Sequence, residues 1–374
     1  MTIQAESDFV SIIVPTLNEA ENIPLLVPRI AAAMQNRRYE VVIVDDNSKD
    51  ATPQVCSDLA RQFPVNLVVR QQPKYGLSGA VLHGFTQARG DTLVVMDADL
   101  QHPPEKLPEL IDALNTADFA MGSRNVEGGT TDGEWTFFRR LNSGVATALA
   151  RPFAGKVRDP MSGFFALRRS TFDRAERLTP LGYKIALELI CKCRVKEVRE
   201  VPIHFGLRAK GESKLSMKEQ FRYLEHLSRL YDFSYPRVSP ILKFAIATVL
   251  GFLIGIIVYA SFLEMGMSRV MATLLGYFGV VVVTTVFHVR YVRTQREFLV
   301  RQHPWRDYAV ITIVELLVAW ATAGWLRSRA PGISGFEAFV IAFGWATVAK
   351  YVLRKELLQD IRGLRKDVRV VEHT

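Results

Sequence analysis

Residues 92–105 read TLVVMDADLQHPPE, and this stretch decides the fold. Its first five residues, Thr92 to Met96, are apolar or β-branched, the composition of a buried strand. Two carboxylates, Asp97 and Asp99, follow one residue apart, with the amide of Gln101 two further on. Charge is costly in a core, so these acids are expected at the strand's mouth, facing a crevice. An acid-x-acid pair with a further oxygen donor suits a hard divalent cation, Mg2+ or Mn2+, which would in turn hold a diphosphate. Pro103 and Pro104 punctuate the turn and can open the next helix. A lone Asp-x-Asp is commonly a solvated turn; the nonapeptide DADLQHPPE is far more specific.

Upstream, residues 9–14, 40–44 and 66–70 read as three further strands separated by helix-like stretches. That alternation implies an α/β domain with a mostly parallel sheet. The first strand ends in Pro15-Thr16-Leu17-Asn18-Glu19 and the second in Asp45-Asp46-Asn47-Ser48. Ligands of such sheets bind beyond the carboxyl ends of the strands, so all three polar clusters should converge on one crevice. Asp45 or Asp46 would accept a hydrogen bond from a nucleobase or ribose there, or else help cap a helix with Asn47 and Ser48. Gly76-Leu77-Ser78-Gly79 and Gly84 lack the spacing of a Walker loop or dinucleotide fingerprint, and close helix–sheet packing is their expected use.

Downstream, Gly122-Ser123-Arg124 follows an apolar stretch, and Arg139 precedes Ser143 by one helical turn. Arginines so placed suit bidentate binding of a phosphate. Asp159-Pro160-Met161-Ser162-Gly163-Phe164-Phe165 reads as a turn entering a strand, and residues 208–216, RAKGESKLS, as a Gly-hinged cationic loop able to close over a diphosphate. Residues 216–235 form an amphipathic pattern with Phe221, Leu224, Leu227 and Leu230 on one side, fit for a membrane interface or for packing on the sheet.

Beyond residue 237 the composition changes, which divides the 374-residue chain into 1–237 and 238–374. Apolar runs at 241–263, 269–289, 308–326 and 335–353 predict four membrane spans. Arginines cluster in the connection between the second and third runs and in the tail, which places the first domain, that connection and the C-terminus in the cytoplasm. Glu315 and Lys350 fall inside these runs, where pairing or snorkelling is expected. The net charge of +9 fits basic residues beside lipid headgroups better than nucleic acid, for which no recognition motif is present. Cys56, Cys191 and Cys193 read as small hydrophobes in a reduced compartment, without the further ligands a zinc site needs. The N-terminus shows no cleavable leader pattern.

In order, Pro-x-x-Asn-Glu, Val-Asp-Asp-Asn-Ser, DADLQHPPE, GSR, DPMSGFFALRR and GESKLS resemble the polyprenyl-phosphate glycosyltransferases, the group typified by dolichol-phosphate mannose synthase within the family-two inverting glycosyltransferases. The apolar tail is similar, in hydropathy and length, to the GtrA-like membrane family. The resemblance implies a GT-A fold with a four-helix membrane domain. It also implies transfer of a hexose, mannose or glucose favoured, from a nucleotide sugar of the GDP-mannose or UDP-glucose type to a polyprenyl phosphate. Carried over by position, Pro15, Leu17, Glu19, Val44 and Asp46 would hold the nucleoside, and Asp97, Ala98, Asp99 and Gln101 the metal and diphosphate. Arg124, Arg139 and Ser143 would take the acceptor phosphate, and Arg208 and Lys214 would close on the donor. Leu17 stands where the synthases often carry a tyrosine, which leaves the nucleobase open. Two alternatives remain on sequence. A processive polysaccharide synthase is disfavoured because Gln220-Phe-Arg-Tyr lacks the tryptophan and spacing of the interfacial motif of those enzymes. A non-enzymatic lipid-sugar scaffold or translocator is disfavoured by the intact acid, amide and cation set. A homo-oligomer is left open.

Overall fold

A computed structural model describes residues 9–132, 137–176, 178–179, 184–206, 217–236, 238–287, 304–330, 332–334, 337, 340–341 and 343–350. The chain divides into two compact units, Met1–Ser234 and Tyr235–Thr374.

The first unit is built on a seven-stranded sheet of order β3-β2-β1-β4-β7-β5-β8. Strands β1 (Val10–Thr16), β2 (Tyr39–Asp45), β3 (Val65–Val69) and β4 (Thr92–Val95) run parallel, joined by crossover helices α1 (Ile23–Ala33), α2 (Thr52–Leu59) and α3 (Gly76–Gln87). This is the mostly parallel α/β arrangement expected from the strand–helix alternation. The first strand runs two residues further than its apolar run, through Pro15 and Thr16. Proline is tolerated there because pairing with β4 has already ended at Ile13. Strand β5 (Phe119–Ser123) lies beyond β7 (Phe165–Arg168), which is antiparallel to both of its neighbours, and β8 (Val198–Pro202) closes that edge. A short parallel pair, β6 (Thr130–Thr131) with β9 (His204–Phe205), stands apart.

Apolar side chains alternate across the sheet and feed two cores. Ile23, Leu26 and Ile30 of α1, Cys56 of α2 and Leu107 and Leu110 of α4 (Leu107–Asp112) cover one face. Val81 and Phe85 of α3, Ala150 and Ala154 of α5 (Phe137–Ala154) and Leu187 and Ile190 of α7 (Ile185–Lys192) cover the other. Gly84 is where α3 presses on the sheet: a Cβ there would lie 2.5 Å from Cγ2 of Ile13, so the glycine is a packing requirement, as its spacing implied. Burial pushes the Cys56 and Cys193 thiols up to about 12, in keeping with small inert hydrophobes.

Helix α8 (Met217–Ser234) divides its apolar residues between two environments. Leu227 and Leu230 join the core, while Phe221 and Leu224 stay exposed. The packed half is clasped by a buried polar group. Glu188 of α7 accepts from the Thr179 amide and from Lys192, each at 2.6 Å, and His226 of α8 lies 3.5 Å away. Burial would raise the Glu188 carboxyl, but His226 and Lys192 outweigh it and bring it to about 2.

The second unit contains α9 (Ser239–Glu264), α10 (Arg269–Phe287) and α11 (Pro304–Arg329), with helical residues at 343–350. Four spans were expected. Among the described residues one helix, Ile241–Glu264, is long and apolar enough to cross a membrane, while Met271–Phe287 and Thr312–Leu326 are shorter apolar segments. Residues 335–336, 338–339, 342 and 351–353 of the fourth expected span lie outside the described residues. Small residues let α9 and α10 approach closely: a Cβ on Gly255 would fall 2.5 Å from Val280 Cγ2, and one on Gly276 would fall 2.9 Å from the Gly255 carbonyl oxygen. Gly255→Leu is therefore expected to separate the two helices and lower the melting temperature in detergent by several degrees, whereas Gly324→Leu, where a Cβ meets nothing within 4 Å, should leave it unchanged. Equal melting temperatures for the two variants would contradict this packing. Glu315 and Lys350 are paired: Lys350 Nζ lies 2.7 Å from Glu315 Oε2 and donates to Thr284 Oγ1 at 3.1 Å.

Candidate active site at the carboxyl edge of the sheet

Because β1, β2 and β4 are parallel, their carboxyl ends deliver three turns to one edge. Each turn carries a non-glycine residue at positive φ: Asn18 at 57°, Asn47 at 61° and Leu100 at 63°. Asparagine tolerates this region, but leucine there is strained and is held by packing on the core.

That strained residue sits inside the acidic turn. Asp99 is 7% exposed, and its Oδ1 accepts the Gln101 amide N–H at 3.2 Å. Gln101 bonds Gly206 twice, its Nε2 donating to the Gly206 carbonyl at 3.1 Å and its own carbonyl accepting the Gly206 N–H at 3.1 Å. With Nε2 spent on Gly206, the side-chain oxygen is the end of this amide left to act as a ligand. His102 supports the turn from beneath. Its Nδ1 accepts the Asp97 N–H at 3.2 Å, and its ring stacks 5.4 Å from Phe164 and lies 5.4 Å from Phe205. Burial pushes its pKa down to about 4, so the ring is neutral at pH 7 with its proton on Nε2. Gly163 makes room for Asp97, since a Cβ there would lie 3.1 Å from Oδ2.

Two carboxylates and an amide oxygen on one turn make an all-oxygen donor set, which fits Mg2+ or Mn2+ if substrate and water supply the remaining ligands. Among the described residues no group of three or more His, Cys, Asp or Glu side chains is gathered to hold a metal alone.

The turns after β1 and β2 are tied to each other. The Asn18 N–H donates to Ser48 Oγ at 2.7 Å, the Lys49 N–H to Asn18 Oδ1 at 2.9 Å, and the Glu19 N–H to Thr52 Oγ1 at 3.0 Å. Asp45 is buried and accepts from the Ser48 N–H and hydroxyl within its own turn; it does not cap a helix, since α2 starts at Thr52 after Ala51 with no side-chain cap. Asp46 instead receives both Arg70 nitrogens, at 2.6 and 2.8 Å. Leu17 is exposed beside them, an apolar surface at the rim. Pro15, Val44 and Ala98 are buried, so any contact they make with a ligand comes from the main chain. A shallow concavity bordered by Arg70, Lys74, Tyr75 and His83 lies at the end of β3 and includes none of the acidic turn.

On the opposite flank Arg124 leaves β5 and is held by Asp159, its Nε and Nη2 donating at 2.8 and 2.9 Å. Its guanidinium lies 4.8 Å over the Phe205 ring. Asp159 is itself fixed, since the Arg158 and Asp159 N–H groups donate to Glu200 at 2.9 and 3.0 Å. Lys184, just before α7, donates to the Met161 carbonyl at 3.1 Å. Burial and the Arg124 charge depress its pKa to about 8 against the pull of Asp159 and Asp97. Arg139 and Ser143 lie on α5, but their side chains are outside the described residues, as are Arg208 and Lys214 altogether. Gly206, which Gln101 bonds, is the last described residue before 207–216. Asp159, Lys184, His102 and Arg70 were not assigned roles from sequence. Asp159 had a local marker in its DPMSGFF motif, whereas Lys184 had none, being one cation ahead of an apolar helix.

Residues 11–175 match the family described as Glycosyl transferase family 2. A dolichol-phosphate mannosyltransferase of Pyrococcus furiosus is 44% identical over 269 residues, covering 71% of this chain and 75% of that protein. The dolichol-phosphate mannosyltransferase of Saccharomyces cerevisiae is 40% identical and matches 65% of this chain and 94% of its own length. An undecaprenyl-phosphate mannosyltransferase of Micrococcus luteus is 37% identical, over 54% of this chain and 86% of that protein.

Proposed function

From the premise that this chain is a glycosyltransferase of family 2, belonging with the dolichol- and undecaprenyl-phosphate mannosyltransferases, we propose that it transfers a hexose from a nucleotide-diphosphate sugar to a polyprenyl phosphate at the cytoplasmic face of a membrane. Mannose is the favoured sugar and glucose the alternative. One observation supports the reading: Asp97, Asp99 and Gln101 share one turn at the carboxyl edge of the parallel strands, and Gln101 Nε2 is taken by the Gly206 carbonyl, which leaves its side-chain oxygen with the two carboxylates for a cation that would hold a diphosphate.

Asp97, Asp99 and Gln101 would hold Mg2+ or Mn2+, which when bound would neutralise the diphosphate and stabilise its departure. The surrounding residues position the reactants. Leu17, Glu19 and Asp46, with the main chain at Pro15, Val44 and Ala98, receive the nucleoside and diphosphate. Arg208 and Lys214 close over the donor and exclude water. Arg124, Arg139 and Ser143 hold the lipid phosphate in line with the anomeric carbon. That phosphate has a second pKa of about 6, is mostly dianionic at neutral pH, and needs no protein base to attack. In-line displacement inverts the anomeric centre and gives a β-linked lipid-phosphate sugar from an α-linked donor.

The second unit provides the anchor. Helices α9, α10 and α11 turn large apolar residues outward, Phe278 at 66% and Trp320 at 78% exposure, a surface suited to lipid rather than water. We place all four apolar runs in the bilayer, with the intramembrane Glu315–Lys350 pair fastening them together. Val145 and Leu149 of α5 and Phe221 and Leu224 of α8 are exposed apolar residues of the catalytic unit, suited to resting at the headgroup level.

The test is transfer of label from a panel of radiolabelled nucleotide sugars to a polyprenyl phosphate in detergent, with and without Mg2+ or Mn2+. Metal-dependent, acid-labile label in the lipid phase is expected from a mannose or glucose donor. Absence of lipid label with every donor would overturn the reading.

A further inference from the structure

Lys184 is brought to the acidic turn by tertiary structure alone. Its bond to the Met161 carbonyl delivers the ammonium to the 159–163 turn. The same turn holds Arg124 through Asp159 and accommodates Asp97 through Gly163. Arg124, Asp159 and Asp97 are accordingly the charges that act on Lys184. Arg124 and Lys184 thus bring two cations to the 159–163 turn, where Asp159 and Glu200 fix the main chain and the guanidinium in place. Cations held in this way suit a phosphate dianion.

Two anions must be held in this site, and they have different partners. The donor diphosphate would have the metal turn. The lipid phosphate has no ligand set of its own on the acidic turn and depends on side-chain cations. We propose that Lys184 is an acceptor-binding residue, its ammonium donating to an oxygen of the lipid phosphate beside Arg124. This rests on the polyprenyl-phosphate reading above. A lysine suits the place because its three donors can keep the Met161 bond while reaching an incoming oxygen. Met161 thereby presets the ammonium and reduces the ordering cost of binding.

The experiment uses the full chain in detergent and compares Lys184→Met, Lys184→Gln and Lys184→Arg with the parent. Apparent KM is measured separately for polyprenyl phosphate and for the nucleotide sugar. Removing the charge in Lys184→Met and Lys184→Gln is expected to raise the acceptor KM about tenfold or more, the scale of one charge-assisted hydrogen bond. Donor KM should stay within about twofold, and Lys184→Arg should recover most of the loss, since it restores the charge. A purely structural lysine would instead lower the melting temperature and kcat without separating the two KM values. A raised donor KM, or an unchanged acceptor KM in a folded charge-removed variant, would overturn the assignment. If instead the parent itself fails to use polyprenyl phosphate, the broader functional reading is what has failed.

Discussion

Asp99→Asn is expected to reduce lipid-linked sugar formation about a thousandfold or more while leaving the protein folded. Asparagine keeps an oxygen at the position that accepts the Gln101 N–H, so the turn and the Gln101–Gly206 bonds should survive. What is lost is one negative charge from the oxygen donor set. Without it, metal affinity would fall and the leaving diphosphate would lose neutralising charge. The check is initial rate against Mn2+ concentration, with the near-ultraviolet circular dichroism spectrum as the control for folding. Partial recovery at high Mn2+ would mark Asp99 as a metal ligand. A variant with parental rate and parental metal dependence would remove this carboxylate from the mechanism.

The second large effect is expected at Asp159. Its carboxylate takes two guanidinium bonds and the main-chain N–H of Arg124, and its side chain is 2% exposed. Asp159→Ala removes the carboxylate that holds Arg124 and leaves its guanidinium over the Phe205 ring at the end of β5. Breaking a buried pair in this way costs about 3–5 kcal/mol, and some water access to Arg124 favours the lower end. Urea unfolding of the full chain in detergent, followed by a probe in the catalytic unit, should show that loss. The double variant Arg124→Gln/Asp159→Asn should be more stable than Asp159→Ala, because no charge remains unpaired. A loss no greater than that of Asp58→Ala at the exposed end of α2 would contradict a structural role for the pair. The acceptor KM should rise in parallel, since an unheld guanidinium no longer presents a fixed fork to phosphate.

These two residues differ in how openly the sequence displays them. Asp99 is legible because its chemistry is local: an apolar strand, a turn and two acids fall within eight residues. The same local logic marks Asp97, Gln101, the turns after β1 and β2, and the crossover pattern that makes the sheet mostly parallel. The partner of Arg124 is harder to see, because Asp159 lies 35 residues away and reaches it only through the antiparallel insertion of β7 between β4 and β5. The amphipathic helix α8 shows the same boundary. Its periodicity marks one apolar stripe but not that Leu227 and Leu230 are buried while Phe221 and Leu224 remain outside.

Sequence by itself therefore determined the α/β class, the edge of the sheet where the candidate site lies, the acidic turn and the family, because each is written in residues close together in the chain. Periodicity reports which side of a strand or helix avoids water, and a short motif reports the chemistry of one turn. Tertiary structure alone decided that His102 stacks on Phe164, that Arg70 occupies both oxygens of Asp46, that Gln101 anchors Gly206 across 105 residues, and that Lys184 reaches the Met161 carbonyl. Contacts of that range depend on strand order and on the space left by residues such as Gly163, and neither is encoded in any local window.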